Sequence, residues 1–318
     1  MSGSDYDYDA VIVGAGPAGL TAGIYAARSG LRTLILEGKF AGGLMAEAPF
    51  VENYPGFQEG VSGLEMANRM EAQARRFGAQ INSPEKVVEL ELKGKMKTVK
   101  TERDVYRASS VILALGCEYR PLGVPGEKEF RGRGVSYCVT CDGPFFRGRR
   151  VLVVGGGNSA AASAIYLATL ATNVKIVHRR DSLRADDVLV RKLGDKNVGM
   201  IFNTVVREIV GDTMVRKIVL EDVKTGEKRS VEVDGVFVQI GEDPCSGIAK
   251  DAGVKTDEEG YIVVDCRQRT NLRGVYAAGD VTNCPVKQVG TAVGQGIIAA
   301  VEAFAYVRKP YYYDGSEE

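Results

Sequence analysis

The apolar positions near the start of the chain come as short unbroken runs. Ala10 to Val13 is one, the pattern of a strand buried on both faces. Gly14-Ala15-Gly16-Pro17-Ala18-Gly19 follows, then a helical run to about Ser29, then a second apolar strand, Thr33 to Leu36, that ends at Glu37. Strand, glycine turn, helix and strand, with an acid 23 residues after the first glycine, form a dinucleotide fingerprint in its proper setting. The layout recurs. Arg150 to Val154 predicts a strand, Gly155-Gly156-Gly157-Asn158-Ser159-Ala160 the turn, a helix runs to about Leu170, and Val174 to Val177 predicts the second strand. That strand ends not in an acid but in His178-Arg179-Arg180-Asp181-Ser182-Leu183-Arg184.

Alternating, turn-punctuated segments follow each unit. Lys86 to Leu92 and Thr98 to Tyr106 predict a meander in the first half. Val205 to Val210, Val215 to Glu221 and Ser230 to Val233 predict one in the second, with Lys224-Thr225-Gly226-Glu227 as a turn. Each meander leads into a strand and a glycine, Val111 to Gly116 and Gly235 to Gly241. The chain therefore holds two copies of one architecture. The fold class is α/β: two Rossmann-like, three-layer ββα dinucleotide-binding domains, each with an inserted antiparallel β-meander. A third segment has a strand at Tyr261 to Val264, then Gly274 to Asp280, then a helix from about Gly290 to Tyr306. It lacks a fingerprint and is expected to complete the first domain. The domains so read are 1–117 with 244–318, and 118–243, and the tail from Tyr311 is expected to fray.

Length and charge agree with this reading. At about 150 residues per domain, 318 residues suit two domains. The 41 basic and 41 acidic residues cancel, which weighs against a nucleic-acid or membrane-surface binder. No apolar run approaches 18 residues, so no membrane span is expected. The acidic, polar start from Met1 to Asp9 does not read as a signal peptide. Glycine reaches 39 residues, roughly 12% against a usual 7% or so, which points to tight turns and backbone–ligand approaches. Histidine occurs once, at His178, so a His-rich metal site is excluded and no metal is expected.

The residue that ends the second strand of each fingerprint selects the nucleotide. The glycines admit a pyrophosphate to the backbone, and the helix N-terminus offers it partial positive charge. Glu37 can accept hydrogen bonds from a ribose diol and repels a 2′-phosphate. The first site therefore suits FAD or NAD. Arg179, Arg180 and Arg184 have guanidinium forks that match a phosphate dianion, so the second site suits NADPH. Within it, Gly155, Gly157, Asn158, Ser159 and Ala160 line the turn, and His178 reads as a strand-end residue near the adenosine.

Of six cysteines, only Cys138 and Cys141 are closely spaced, and a disulfide framework is not expected. Cys138-Val139-Thr140-Cys141-Asp142 can close a disulfide with little backbone movement, and such pairs often hold a reactive thiolate. Asp142 adjoins the second thiol and can supply the proton that a released thiolate needs. The competing readings are a zinc half-site, which lacks two further ligands, and an inert pair.

At this point the chain resembles the low-molecular-weight, FAD-dependent thioredoxin reductases along nearly its full length. The matching motifs are Gly14 to Gly19, Val51-Glu52-Asn53-Tyr54-Pro55-Gly56, Cys138 to Gly143, Gly155 to Ala160, His178 to Arg184 and Ala277-Ala278-Gly279-Asp280-Val281. A CxxCD placed just before the second fingerprint is the specific one. Larger disulfide reductases carry the pair inside the FAD domain and use a C-terminal His that is missing here. The resemblance implies an FAD-binding domain in two parts and an NADPH-binding domain that carries the dithiol. It implies that Asp280, after Gly279, holds the ribityl chain. Gly42, Gly43, Leu44 and Asn53 would lie near the FAD, and Lys287, Gln288 and Val289 would approach the isoalloxazine. Pro17 and Ala18 belong to the FAD turn. Cys141 would face the flavin and Cys138 would attack the disulfide of thioredoxin or a thioredoxin- or glutaredoxin-like protein. The family is cytoplasmic and homodimeric, and its two domains rotate about hinge strands during turnover.

Two departures bear on the donor. Leu44 stands where the family usually has Gln, and Ala161-Ala162-Ser163 where it usually has acidic residues. Relatives that take electrons from a reduced deazaflavin or ferredoxin, or a dithiol oxidase passing them to oxygen, are the alternative enzymes; a non-enzymatic redox sensor is a third reading. The retained arginines weigh toward NADPH. Cys117 and Cys245 fall at the two presumed hinges, and if those strands run side by side their thiols could bridge.

Overall fold

The computed structural model describes residues 6–48, 51 and 53–308. The readings of the first five residues, of Glu52 in the 51–56 motif and of the tail from Tyr311 fall outside these. The chain divides into two compact units, Met1–Glu118 with Asp243–Glu318, and Tyr119–Glu242.

The first unit opens with β1 (Tyr8–Val13), α1 (Pro17–Arg28) and β2 (Thr33–Leu36). A short α2 (Gly43–Ala46) and α3 (Gly63–Arg76) follow, then β3 (Gln80–Asn82), β4 (Val87–Glu91), β5 (Lys97–Thr101) and β6 (Val105–Leu113). Ser62 caps α3 by accepting the Glu65 N–H at 3.1 Å. The predicted Thr98–Tyr106 strand is in fact two, because Thr101 turns the chain through its hydroxyl, which accepts the N–H groups of Arg103 and Asp104. Strand β6 then runs unbroken from the meander into the core. The crossing strand β7 (Cys117–Tyr119) ends this part.

The second unit begins with β8 (Val135–Ser136), the one-turn α4 (Val139–Asp142) and a 3₁₀ turn. Its fingerprint is β9 (Arg150–Gly155), α5 (Asn158–Leu167) and β10 (Asn173–Val177). Then come α6 (Asp187–Asp195), β11 (Gly199–Ile201), the antiparallel meander β12 (Thr204–Gly211), β13 (Val215–Asp222) and β14 (Lys228–Glu232), and β15 (Gly235–Gln239). The chain leaves through β16 (Glu242–Pro244), which pairs with β7. It finishes the first unit with α7 (Gly247–Asp251), β17 (Val275–Ala277) and α8 (Val289–Arg308). The predicted strand at Tyr261–Val264 does not form; Ile262 makes only single bridges to Thr256 and Thr282.

The two parallel sheets share one plan. The first orders its parallel strands β3-β2-β1-β6, with β17 also on β6, and continues from β6 into the antiparallel β5 and β4; the second is β11-β10-β9-β15-β8, with its meander a separate sheet. The outer strand after the central pair is thus β17 in one and β8 in the other. Both sheets are buried on both faces, which explains the unbroken apolar runs. Ile12, Ile35 and Ile112 face one layer, while Val11, Leu34 and Val111 face the opposite one. In the second unit Val151 and Val153 pack toward α5, and Leu152 and Val154 toward the meander residues Ile218 and Leu220. Each such buried side chain contributes about 1.5–3 kcal/mol. Helix α8 is long and apolar enough to cross a membrane by composition, with 20 residues and mean hydropathy 1.3. One of its faces packs in the core: Gly296 meets the backbone of Ala18 on α1 with no room for a β-carbon.

Candidate active site

The three glycines of the first turn have separate steric reasons. Gly14 has φ +105°, and a β-carbon on it would overlap the Ala114 carbonyl. One on Gly19 would overlap the Gly14 carbonyl, so α1 can approach β1 only without it. Gly16 has nothing within 4 Å of its missing side chain. It is the N-cap of α1, without a capping side chain or an acid in the first turn, and Pro17 opens the helix. Helix-start amides without a capping side chain fit a pyrophosphate. Gly42 and Gly43 border this turn: the Gly42 N–H donates to the Ala15 carbonyl at 2.8 Å, and a β-carbon on Gly43 would lie 3.3 Å from the Gly16 α-carbon. Leu44 follows, half-buried on α2. The Glu37 carboxylate accepts the Ala15 N–H at 2.9 Å, which places it at the turn.

The C-terminal motif returns to the same turn. A β-carbon on Gly279 would lie 3.0 Å from that of Ala18, and the Gly279 N–H donates to Oε1 of buried Gln295 at 2.6 Å. The Asp280 carbonyl accepts the Cys117 thiol at 3.0 Å and the Lys287 ammonium at 2.8 Å. Asn53 donates to the Gln288 side chain at 3.1 Å across 235 residues of sequence. Val289 begins α8 and packs against the buried cluster of Met45, Val51, Val61, Met66 and Ala67, as Tyr54 and Phe57 do. The glycine turn, Glu37, Gly42, Gly43 and Gly279 therefore converge. Gln295 is not among the residues expected from the sequence; its signal is a polar residue within the mostly apolar first half of α8.

The second turn repeats the cradle. Gly157 is the uncapped N-cap of α5 with nothing within 4 Å of a β-carbon, whereas one on Gly155 would overlap the Gln239 carbonyl and press the Ala160 methyl. Asn158 and Ser159 are exposed on the first turn, and Asn158 exchanges hydrogen bonds with Asp186 at 3.0 and 2.8 Å. The Arg184 N–H donates to the Gly156 carbonyl at 2.6 Å, so the arginine loop folds onto the glycine turn. Arg179, Arg180 and Arg184 are exposed and form no ion pair among the described residues. Burial, then the charges of Arg184, Arg180 and Arg179, holds the His178 imidazole below its usual range. His178 is 6% exposed and its Nε2 has no partner among the described residues. Its ring lies against Gly156, so it supports the turn from beneath.

Cys138 and Cys141 form a disulfide with α-carbons 5.3 Å apart. The pair follows β8 as Gly279 and Asp280 follow β17, beyond the carboxyl ends of parallel strands, where α/β sheets place ligands. Cys138 is the N-cap of α4, and its N–H donates to the buried Ser136 hydroxyl at 3.1 Å. Burial pushes the Asp142 carboxyl above the usual carboxylate range, against a smaller opposing effect of its hydrogen bond to Ser136. Asp142 is thus suited to hold a proton. Ser136 was not foreseen. Of the departing residues on α5, Ala161 is buried in the core, Ala162 is exposed, and the Ser163 hydroxyl donates to Gln239 at 3.2 Å.

Cys117 and Cys245, where the chain crosses between the two units, stand differently from the sequence expectation. The Cys245 N–H donates to the Gly116 carbonyl at 3.0 Å, which sets Cys245 opposite Gly116 and not opposite Cys117. Neighbouring residues on a strand point to opposite faces, so the two thiols diverge. Burial, aided by Glu118 and Asp243, raises the Cys245 thiol and makes it a poor nucleophile.

A family model described as pyridine nucleotide-disulphide oxidoreductase matches residues 8–296. The chain belongs to this family. Within it, the chain is similar to the thioredoxin reductase of Treponema pallidum (strain Nichols), at 45% identity over 95% of this chain and 97% of that one. It is 44% identical to the thioredoxin reductase of Bacillus subtilis (strain 168), over 95% of each. The crystal structure of thioredoxin reductase from Streptococcus pyogenes matches with a TM-score of 0.91 at 44% identity, covering 96% of this chain and 99% of that one. The disulfide of this pyridine nucleotide-disulphide oxidoreductase lies in the unit that carries the second fingerprint.

Proposed function

We propose that the protein is a thioredoxin-disulfide reductase that passes electrons from NADPH through FAD and the Cys138–Cys141 pair to a thioredoxin-like protein disulfide. The single observation that carries this is a CxxC disulfide in one unit with an arginine-bordered nucleotide cradle. In this reading Gly14, Gly16, Gly19, Glu37 and Asp280 hold FAD, and Gly157 with Arg179, Arg180 and Arg184 holds NADPH. Bound, these cofactors supply the hydride and the two-electron carrier. The rest is done by the chain. In the reduced protein the Cys138 thiolate attacks the partner disulfide; one partner sulfur bonds to Cys138 and the other leaves as a thiolate that takes a proton. Cys141 then attacks Cys138, which re-forms the internal disulfide and releases the second partner thiol. Asp142 supplies the proton that the departing thiolate takes. A cytoplasmic homodimer is carried into the proposal on the resemblance alone.

The test is an anaerobic titration of the purified protein, following its visible flavin band. The expected result is prompt bleaching by NADPH and little by NADH. No bleaching by either, with dithionite still effective, overturns NADPH as donor and turns the search to a deazaflavin or ferredoxin.

A further inference from the structure

One side chain joins the second glycine turn, α5 and the approach to the dithiol. Gln239 ends β15, where its backbone pairs with Gly155 and its carbonyl occupies the space that a β-carbon on Gly155 would need. Its Nε2 donates to the Tyr137 carbonyl at 2.8 Å and to its neighbour's, that of Val238, at 3.1 Å. Its Oε1 accepts the Ser163 hydroxyl from α5. Tyr137 immediately precedes Cys138, and its own ring is already fixed. The phenol donates to buried Glu127 at 2.7 Å, and the ring stacks on Tyr119 at 5.1 Å between centroids. Glu127 in turn accepts the N–H groups of Leu122 and Gly123 at 2.7 and 2.8 Å. With the Tyr137 ring held, the peptide joining Tyr137 to Cys138 keeps one freedom, rotation about its flanking bonds. The Gln239 amide removes it on the carbonyl side, and the Ser136 hydroxyl on the N–H side.

We propose that Gln239, oriented by Ser163, is a positioning residue for the redox pair: it clamps the Tyr137 carbonyl and so keeps Cys138 within reach of Cys141. Helix α5 thus contributes a hydroxyl that orients the Gln239 amide. A clamp of this kind raises the effective concentration of one thiol at the other and thereby stabilises the disulfide relative to the dithiol. It rests on the redox role proposed for the pair and not on the identity of the donor.

The test uses the full-length flavoprotein. The equilibrium between Cys138–Cys141 and dithiothreitol is measured, with the iodoacetamide alkylation rate of the reduced pair, for wild type, Gln239→Met, Ser163→Ala and the double variant. Gln239→Met keeps the length and removes both polar arms. It is expected to make the disulfide about two- to tenfold easier to reduce, the worth of one net hydrogen bond. Ser163→Ala shifts the equilibrium in the same direction by less, and the double variant adds nothing to Gln239→Met because both act through one amide. A Gln239→Met protein with a lowered melting temperature but wild-type thiol equilibrium and alkylation overturns the proposal and leaves Gln239 a packing residue. If that variant does not fold, Ser163→Ala decides alone: an unchanged equilibrium refutes the clamp. Failure of NADPH to bleach the wild-type flavin removes the proposed donor but leaves these thiol readings able to decide.

Discussion

The imidazole of His178 lies beneath Gly156, so close that a β-carbon on Gly156 would overlap its Cε1 and Nδ1 atoms. The backbone of Gly156 does not itself demand glycine, since its φ is not in the left-handed region. The constraint is the ring alone. Gly156→Ala is therefore expected to lower stability by about 1–3 kcal/mol, the usual cost of overpacking. Adding His178→Ala makes room and should return part of the loss, so the pair is non-additive. Thermal unfolding of the two single variants and the double variant checks this. Strict additivity would refute it.

Much of this was legible because both sheets are covered on both faces. Such strands must be apolar throughout, and Ala10–Val13 and Val151–Val154 announce themselves. The glycine turns follow because only small residues fit between Gly14, Gly19 and Ala114. What stayed hidden is set by tertiary contact. Nothing local marks Tyr261–Val264 as falling short of a strand, since Ile262 makes single bridges to Thr256 and Thr282 and no continuous ladder forms. Ser136 and Gln239 are ordinary polar residues at strand ends until the fold sets one beside the Cys138 amide and the other beside the Tyr137 carbonyl. The divergence of Cys117 and Cys245 is a matter of register, which a one-residue slip would reverse.

The arginine loop makes a prediction about nucleotide choice. Arg179, Arg180 and Arg184 are exposed and unengaged by any carboxylate among the described residues, so their charge is available. Replacing any one with Ala should raise KM for NADPH about tenfold or more, the worth of a hydrogen bond to a charged group. kcat/KM for NADH should hardly change. Steady-state kinetics with both nucleotides tests this; equal losses for both would place the arginines elsewhere in the mechanism.

Asp142 is expected to act as an acid because burial keeps its proton on at higher pH than an ordinary carboxyl. Asp142→Asn should slow reduction of a thioredoxin-like disulfide about 100-fold, at the low end of acid–base contributions, while NADPH still bleaches the flavin. The wild-type rate should fall as pH rises through the raised carboxyl value, since the proton donor is lost. The Asn variant should lack that limb. Stopped-flow rates across pH, with the two half-reactions followed separately, decide it.

Cys117 and Cys245 should remain reduced thiols under mild oxidation. Four cysteines, Cys117, Cys245, Cys266 and Cys284, are outside any disulfide, and the Cys117 thiol is engaged with the Asp280 carbonyl. After diamide treatment the wild type should keep all four and Cys117→Ser the other three. A loss of two thiols in the wild type that Cys117→Ser prevents would show that the hinge strands slip far enough to bridge.

Lys97 carries a pH signature of stability. It is fully buried on β5, its ammonium donates to the Gly94 carbonyl at 2.6 Å and lies 5.4 Å from the centroid of the Tyr306 ring. Burial, then the charge of Arg273, lowers it from 10.5 to about 8. Below pH 8 both folded and unfolded chains hold the proton, and this group gives no pH dependence. Between about 8 and 10.5 the unfolded chain still holds a proton that the folded one has released, so stability rises with pH. The rise is on the order of 3 kcal/mol at most. Tyr106, raised to about 12 by burial and Glu85, pulls the other way at higher pH, but equally in any variant that leaves it alone. The measurable quantity is thus the difference in melting temperature between wild type and Lys97→Met. Wild type should gain on the variant from pH 7.5 to 10, whichever of the two is the more stable at the start. A difference that stays constant over that range would mean that the carbonyls around Lys97 hold its proton as firmly as water does.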